Sequence, residues 1–245
     1  DKQLIFSGTT AHKGRKTSVF PGNSELRHLH YGRVLLDSTV PQVSFDTGAR
    51  ETALLAMHGS CTIKVNGAPH TINQYDAIYV PRGCAIEVAT TSNVDLVECA
   101  AEVEGDYPLQ VVPYEQVQQN PAQKFTAGGL STSRDLNIVI GDNVNAGRIL
   151  MGFTKSQPGN WTSWPPHEHT ELLEEVYVYF DMPAPAFGIQ LVYTDPQTPE
   201  FVSIVRDGDA VLMPAGYHPN VAAPGHGINF IWMMEIGRAS CSERV

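Results

Sequence analysis

Three histidines and a carboxylate have the types and spacing to do chemistry. His167 and His169 sit two apart in Trp164-Pro165-Pro166-His167-Glu168-His169-Thr170-Glu171-Leu172-Leu173-Glu174. His218 follows later, in Pro214-Ala215-Gly216-Tyr217-His218. On a β-strand, residues i and i+2 point to the same face, so His167 and His169 can converge on one ion. Glu174 opens an apolar run, Val176 to Phe180, that reads as the next strand. Three imidazoles and one carboxylate, His167, His169, His218 and Glu174, suit a divalent transition metal with open positions for water or substrate. These ligand types do not separate zinc, manganese and iron. An HxH pair alone is as readily two polar loop residues; the spaced Glu and the later His after a Pro-x-Gly turn favour the metal. A second pair, His28-Leu29-His30, lacks a suitably spaced partner and reads as strand.

The elements that must position these residues are short apolar runs broken by turn residues. Arg33–Leu36, Thr52–Met57, Cys61–Val65, Ala77–Val80, Ala85–Ala89 and Val94–Cys99 read as strands, and Asn66-Gly67 is a hairpin signal. Residues 1–30 read as a loose lead-in, and 108–136 as a polar connector in which Tyr114–Gln119 offers one or two helical turns. Short strands at this spacing predict an all-β sandwich or barrel. The second half repeats the first: Tyr75-Asp76-Ala77-Ile78-Tyr79-Val80-Pro81-Arg82-Gly83 lies over Gly208-Asp209-Ala210-Val211-Leu212-Met213-Pro214-Ala215-Gly216 without a gap. A repeat this distant implies two copies of one β-domain, 1–112 and 113–234. The copies differ where the chemistry would be. Ala85 stands in the place of His218, Glu51 can be laid over Glu174, and Ser44, Phe45 and Asp46 fall where the HxH pair should be. The first copy is therefore expected to pack on the second and hold no metal.

Bulk composition narrows the function. Sixteen Lys and Arg against 26 Asp and Glu give a net charge of −10. That balance argues against nucleic acid and anionic membrane surfaces as partners. No apolar run reaches membrane-spanning length, and no basic-then-apolar N-terminal segment suggests secretion. Cys61, Cys84, Cys99 and Cys241 show no paired spacing, as for reduced thiols in a cytoplasmic protein. The chain begins at Asp1 rather than Met, so the N-terminus reads as incomplete or processed. The last eleven residues, from Glu235 to Val245, read as a translated sequencing adapter, which would put the native end near Met234. Cys241 and Arg238 then carry no functional argument.

These residues resemble the cupin superfamily. His167, His169 and Glu174 match its first motif; Gly208, Pro214, Gly216 and His218 match its second, with one residue rather than two between Gly216 and His218. The stretches Asn160–His169, Leu173–Tyr177, Gly188–Thr194 and Gly216–Gly225 resemble, more closely, the 5-deoxy-glucuronate isomerase family of myo-inositol catabolism. Trp164 and Leu191 depart from that family, which more often has Tyr and Arg there. The resemblance implies two tandem cupin (jelly-roll β-barrel) domains and a divalent metal. The implied reaction is an aldose–ketose isomerisation of 5-deoxy-glucuronate to 5-dehydro-2-deoxy-gluconate. Gln190 and Tyr193 are candidates for catalytic residues lining the cavity, though strand parity admits only one of them. Glu175, Tyr177 and Tyr179 have the opposite parity from Glu174 and are expected at packing surfaces. Arg148 and Arg206 are the cations nearest the motifs. The expected partner is a small uronate sugar, with neither nucleic acid nor membrane, and a homo-oligomer is compatible. The alternatives are 4-deoxy-5-keto-uronate isomerisation of pectin breakdown, a metal-dependent dioxygenase, and a non-catalytic sugar-binding cupin.

Overall fold

A computed structural model describes residues 3–169 and 173–236. Alternating apolar side chains make it a protein of antiparallel strands. The first half contains β1 (Ile5–Phe6), β2 (Gly14–Val19), β3 (His30–Leu36), β4 (Gln42–Asp46), β5 (Arg50–Gly59), β6 (Cys61–Val65), β7 (Ala68–Ile72), β8 (Ala77–Val80), β9 (Ala85–Ala89) and β10 (Val94–Glu102). Then come β11 (Gln110–Val112), α1 (Tyr114–Gln119), β12 (Lys124–Ala127), β13 (Arg134–Ile140), β14 (Ile149–Ser156) and β15 (Trp161–Thr162). The chain continues through β16 (Leu173–Tyr179), β17 (Gly188–Val192), β18 (Phe201–Val205), β19 (Ala210–Met213), β20 (Asn220–Ala222) and β21 (Asn229–Ile236). The strands expected from sequence are present, except that of His28-Leu29-His30 only His30 lies in a strand, and the helix spans the stretch proposed for it. The lead-in and the connector hold more than expected: β1 and β2 in the former, β11, β12 and the start of β13 in the latter. β4 and β7 also escape the apolar pattern, since β4 exposes alternate polar residues and β7 buries only Ile72.

Each half is a large sheet set against a small one, the all-β jelly-roll arrangement of a cupin. In the first, β11-β8-β5-β10-β3-β2 opposes β4-β9-β6-β7; in the second, β1-β19-β16-β21-β14-β13-β12 opposes β15-β20-β17-β18. The matched stretches of the repeat are β8 and β19, each paired with the long strand β5 or β16. The leading strands are exchanged. β1 pairs with β19, Ile5 opposite Val211, while β11 pairs with β8, Val111 opposite Ile78. A boundary at 112 therefore leaves β11 with the sheet it joins and β1 paired across to the other half; the exchange is of the strand that leads each repeat, β1 before β2 and β11 before β12.

Strand alternation sends every second residue of the large sheets into the barrel and the others to the interface between halves. Leu54, Ile78 and Leu96 join the core of the first barrel. Leu55, Met57, Met151, Phe153, Val176 and Val178 meet in one core shared by both halves. Two carboxylates tie that interface. Glu51 accepts from the backbone N–H groups of Gly147 (2.7 Å), Arg148 (2.7 Å) and Ile149 (2.9 Å), and from the Tyr79 hydroxyl (2.5 Å). Glu174, its counterpart in the repeat, accepts from the N–H groups of Arg27 (2.5 Å), His28 (3.0 Å) and Leu29 (3.3 Å). Hydrogen bonds to charged acceptors contribute about 1.5–3 kcal/mol each, more than neutral ones.

Glu235 and Ile236, placed by sequence in a non-native tail, continue β21 opposite Glu174 and Leu173, and Glu235 is buried against Arg148 at 2.5 Å. The rest of that tail, residues 237–245, lies outside the described residues. Among the described residues, no helix is long and apolar enough to cross a membrane.

Candidate metal centre

His167 and His169 lie on the loop that follows β15, not on a strand as the HxH spacing predicted. His218 lies just before β20 and is buried. A left-handed turn at Gly216 (φ +92°) delivers it; a Cβ there would meet the Tyr193 carbonyl oxygen at 2.7 Å. Among the described residues the three imidazoles each offer one nitrogen, and these lie within 4.8 Å of one another.

The ring tautomers are set by the backbone. Nδ1 of His167 faces the Pro165 carbonyl (3.3 Å), Nδ1 of His169 the Leu173 carbonyl (3.3 Å), and Nδ1 of His218 the Gly216 carbonyl (2.9 Å). A carbonyl only accepts, so each Nδ1 carries the proton and each Nε2 is left as a lone pair. Such outer bonds orient imidazoles that ligate metals.

The carboxylate that joins them is Glu175. Its Oε2 lies 2.9 Å from His169 Nε2 and 3.0 Å from His218 Nε2. Glu174, the expected ligand, is turned to the opposite face of β16, where it caps residues 27–29. Glu174, Val176 and Val178 face the interface between halves, whereas Glu175, Tyr177 and Tyr179 face the barrel. The expected parity was inverted because the apolar members of the strand are demanded by the interface, not by the barrel. Glu175 is wholly buried, and its Oε1 and the Nε2 of His218 have no hydrogen-bond partner. Burial works to raise the Glu175 carboxyl, but His169 and His218 beside it outweigh that and hold it below its ordinary value. Burial likewise opposes protonation of His169, and the Glu175 carboxylate beside it outweighs that and raises it. The orphaned, buried Glu175 Oε1 and His218 Nε2 are what a cation satisfies, with His169 and the exposed His167 completing a donor set that fits a divalent metal.

The two candidate catalytic residues separate as parity required. Gln190 is inside and fully buried, but its amide is committed. Oε1 accepts from the Tyr179 hydroxyl (2.5 Å) and from Asn220 Nδ2 (3.0 Å), and Nε2 lies 2.9 Å from the His218 carbonyl and 2.8 Å from that of Leu191. Thr162 in turn donates to Asn220. With no polar atom left over, Gln190 positions the backbone of His218 and is not placed to touch a substrate. Tyr193 lies on the outer face, stacked on Tyr217 at 5.6 Å between ring centroids. Leu191 shares that outer parity, so the residue type there does not alter the charge of the cavity.

Sequence reasoning missed three residues. Glu175 and Tyr177 were assigned to packing; the Tyr177 ring lies 5.7 Å from that of His218, and its hydroxyl is 2.8 Å from Ser163 Oγ. Burial pushes the Tyr177 hydroxyl well above its ordinary value. The third is Arg134 on β13, whose guanidinium donates to the carbonyls of Thr132 and Trp164, both at 3.0 Å, at the base of the histidine loop. Burial lowers its pKa, and the field of Tyr177 works the other way. Nothing in the sequence near the motifs marks it. Arg148 is directed at Glu235 instead, and Arg206 is exposed.

In the first half the corresponding barrel is filled by Val34, Leu54, Ile63, Ile78 and Val88. Ala85 stands where His218 would be, and Thr52, next to Glu51, stands where Glu175 would be.

Comparison with known proteins places this geometry. The chain is 31% identical to the 5-deoxy-glucuronate isomerase of Geobacillus kaustophilus over 157 residues, 61% of this chain and 55% of that protein. It is 26% identical to that of Bacillus subtilis (strain 168) over 167 residues, 65% of this chain and 60% of that protein. The chain thus spans little more than half the length of these relatives. In fold it is similar to an IolB-like protein of Salmonella typhimurium LT2, with a TM-score of 0.85 at 22% identity over 96% of this chain and 93% of that one. It is also similar to the oxalate decarboxylase of Bacillus subtilis, a protein described with Mn(II) centres, with a TM-score of 0.69 at 10% identity over 98% of this chain and 79% of that one. The KduI/IolB family matches residues 5–241, nearly the full length, and the chain belongs to it.

Proposed function

We propose that the protein is a metal-dependent aldose–ketose isomerase that converts 5-deoxy-glucuronate to 5-dehydro-2-deoxy-gluconate. The observation that carries this reading is the convergence of three imidazoles within 4.8 Å of one another, two of them beside the buried carboxylate of Glu175, whose Oε1 and the Nε2 of His218 have no partner. The names of the relatives supply the substrate. His167, His169, His218 and Glu175 would hold the ion, with zinc, manganese and iron all suited to such ligands.

Moving a carbonyl by one carbon removes a proton from the hydroxyl-bearing carbon and leaves an enediolate. A divalent ion bound here supplies Lewis-acid stabilisation of that charge. The chain's own residues set the rest. Tyr177 keeps its proton at Oη and can donate a hydrogen bond into the cavity. Arg134, beside the histidine loop, has the charge to attract a uronate carboxylate. Gln190, with Asn220 and Tyr179, fixes the backbone on which His218 rides. The wall of the second barrel excludes water from Glu175.

The test is metal analysis followed by turnover of both uronates, monitored by NMR as the aldehyde or hemiacetal proton is lost and a ketone carbon appears. Solvent deuterium should enter the carbon that receives the proton. Arg134→Met should raise KM at least tenfold while kcat falls less, as for a lost charged contact. Metal-loaded protein that acts only on the 4-deoxy-5-keto uronate would transfer the reading to the pectin reaction, and one that turned over neither would leave a sugar-binding protein.

A further inference from the structure

The small sheet of the second half has an outer face unlike its counterpart in the first. Its strands β15, β17, β18 and β20 contain no charged residue. Across them runs an apolar stripe held in register: Trp161 opposite Val221, Val221 opposite Ile189, Ile189 opposite Ile204, with Leu191 opposite Val202 beside it. Val202 is 58% exposed, Ile204 47% and Ile189 36%. The equivalent face of the first half alternates to Ser44, Asp46, Lys64 and Glu87, with Lys64 and Glu87 paired at 2.7 Å. Two halves of one architecture thus treat the same surface in opposite ways, which removes the fold itself as the cause. β18 is also an edge strand in the sheet order, and it lacks the Pro, Lys or inward charge by which free edges are protected. The matching edge strand of the first half, β7, contains Pro69.

We propose that this face is where a second copy of the chain docks, the two small sheets packing face to face about a twofold axis. A two-fold contact uses one patch twice, and an uncharged apolar stripe is complementary to itself. Sheets packed this way lie about 10 Å apart with interleaved side chains. Size limits the strength. Four strands at ~4.8 Å spacing and five residues along β17 give, with the rim, roughly 500 Å² per copy, so that a pair removes about 1,000 Å², the lower end for a specific interface. The result is a reversible dimer, not an obligate one. Each copy carries −10 overall, so the copies repel at distance and adhere only where the charge is absent. The proposal does not depend on the metal or the reaction.

Sedimentation velocity from about 1 to 200 μM covers the range for such a contact. The wild-type mass should rise toward that of a dimer, and the association should tighten as salt rises from about 0.05 to 0.5 M, opposite to a salt-bridged contact. Val202→Lys and Ile204→Lys, each at an exposed site, should weaken dimerisation at least tenfold while circular dichroism and Tm stay as in the parent. Ser44→Lys, on the polar face of the first half, should leave it unchanged. A chain that stays monomeric at all concentrations overturns the proposal. So does a dimer indifferent to both lysines, or one broken by Ser44→Lys.

Discussion

Adjacent glutamates in β16 do opposite work, and substitution separates them. Glu175→Gln should abolish stoichiometric metal binding, read by elemental analysis, because it removes the buried negative charge beside His169 and His218. Glu174→Gln should keep the metal and lower stability by about 1–3 kcal/mol in denaturant unfolding, as backbone donors lose a charged acceptor. The opposite outcome would return Glu174 to the metal. Gln190→Met, close in volume, should weaken metal affinity about 10–100-fold, as outer residues around metal sites do. A change in kcat with unaltered affinity would instead mean that Gln190 touches substrate. The sequence showed the three histidines because two lie in one short stretch and the third follows a Pro-x-Gly turn. It could not distinguish Glu174 from Glu175, because that depends on which face of β16 meets the barrel. The apolar pattern reports burial, and both faces of this strand are buried.

At the scale of elements, the exchanged strands are the feature a linear reading loses. β1 is two residues long, and its hydrogen bonds go to β19, far along the chain. No local pattern announces such a strand, whereas β5 and β10 are long and apolar enough to be read directly. Just ahead of it, Leu4 is buried, and its carbonyl accepts from the Leu212 N–H at 2.8 Å. Deleting residues 1–7 should therefore destabilise the second half by about 2–4 kcal/mol, from a buried leucine and an uncovered sheet edge. Hydrogen exchange should show the loss at Ala210–Met213. A loss of protection confined to the first half would contradict the pairing of β1 with β19. Tyr79→Phe tests the other side of the same relationship. It removes one of four donors to Glu51 and should cost about 1 kcal/mol.

For the whole molecule, the shared core and the reciprocal glutamate caps make the halves one cooperative unit. The chain should unfold in a single denaturant transition by fluorescence and circular dichroism alike, and residues 1–112 alone should not fold. Separated transitions, with the second half persisting, would show independent domains. The repeat in the sequence did reveal two halves of one architecture. It did not reveal the interlock, because the residues that make it, Glu51 and Glu174, are also the ones that align, and alignment is silent on whether a shared carboxylate binds metal or backbone.

The pairing of Ile5 with Val211 also sets an order of events on the ribosome. β1 leaves the exit tunnel long before it can find its partner, since β19 is made nearly the whole of this chain later. At about 5–20 residues per second, the amino-terminal segment waits roughly 10–40 s, unpaired and open to chaperones or proteases. Its docking then certifies that the second half has been synthesised.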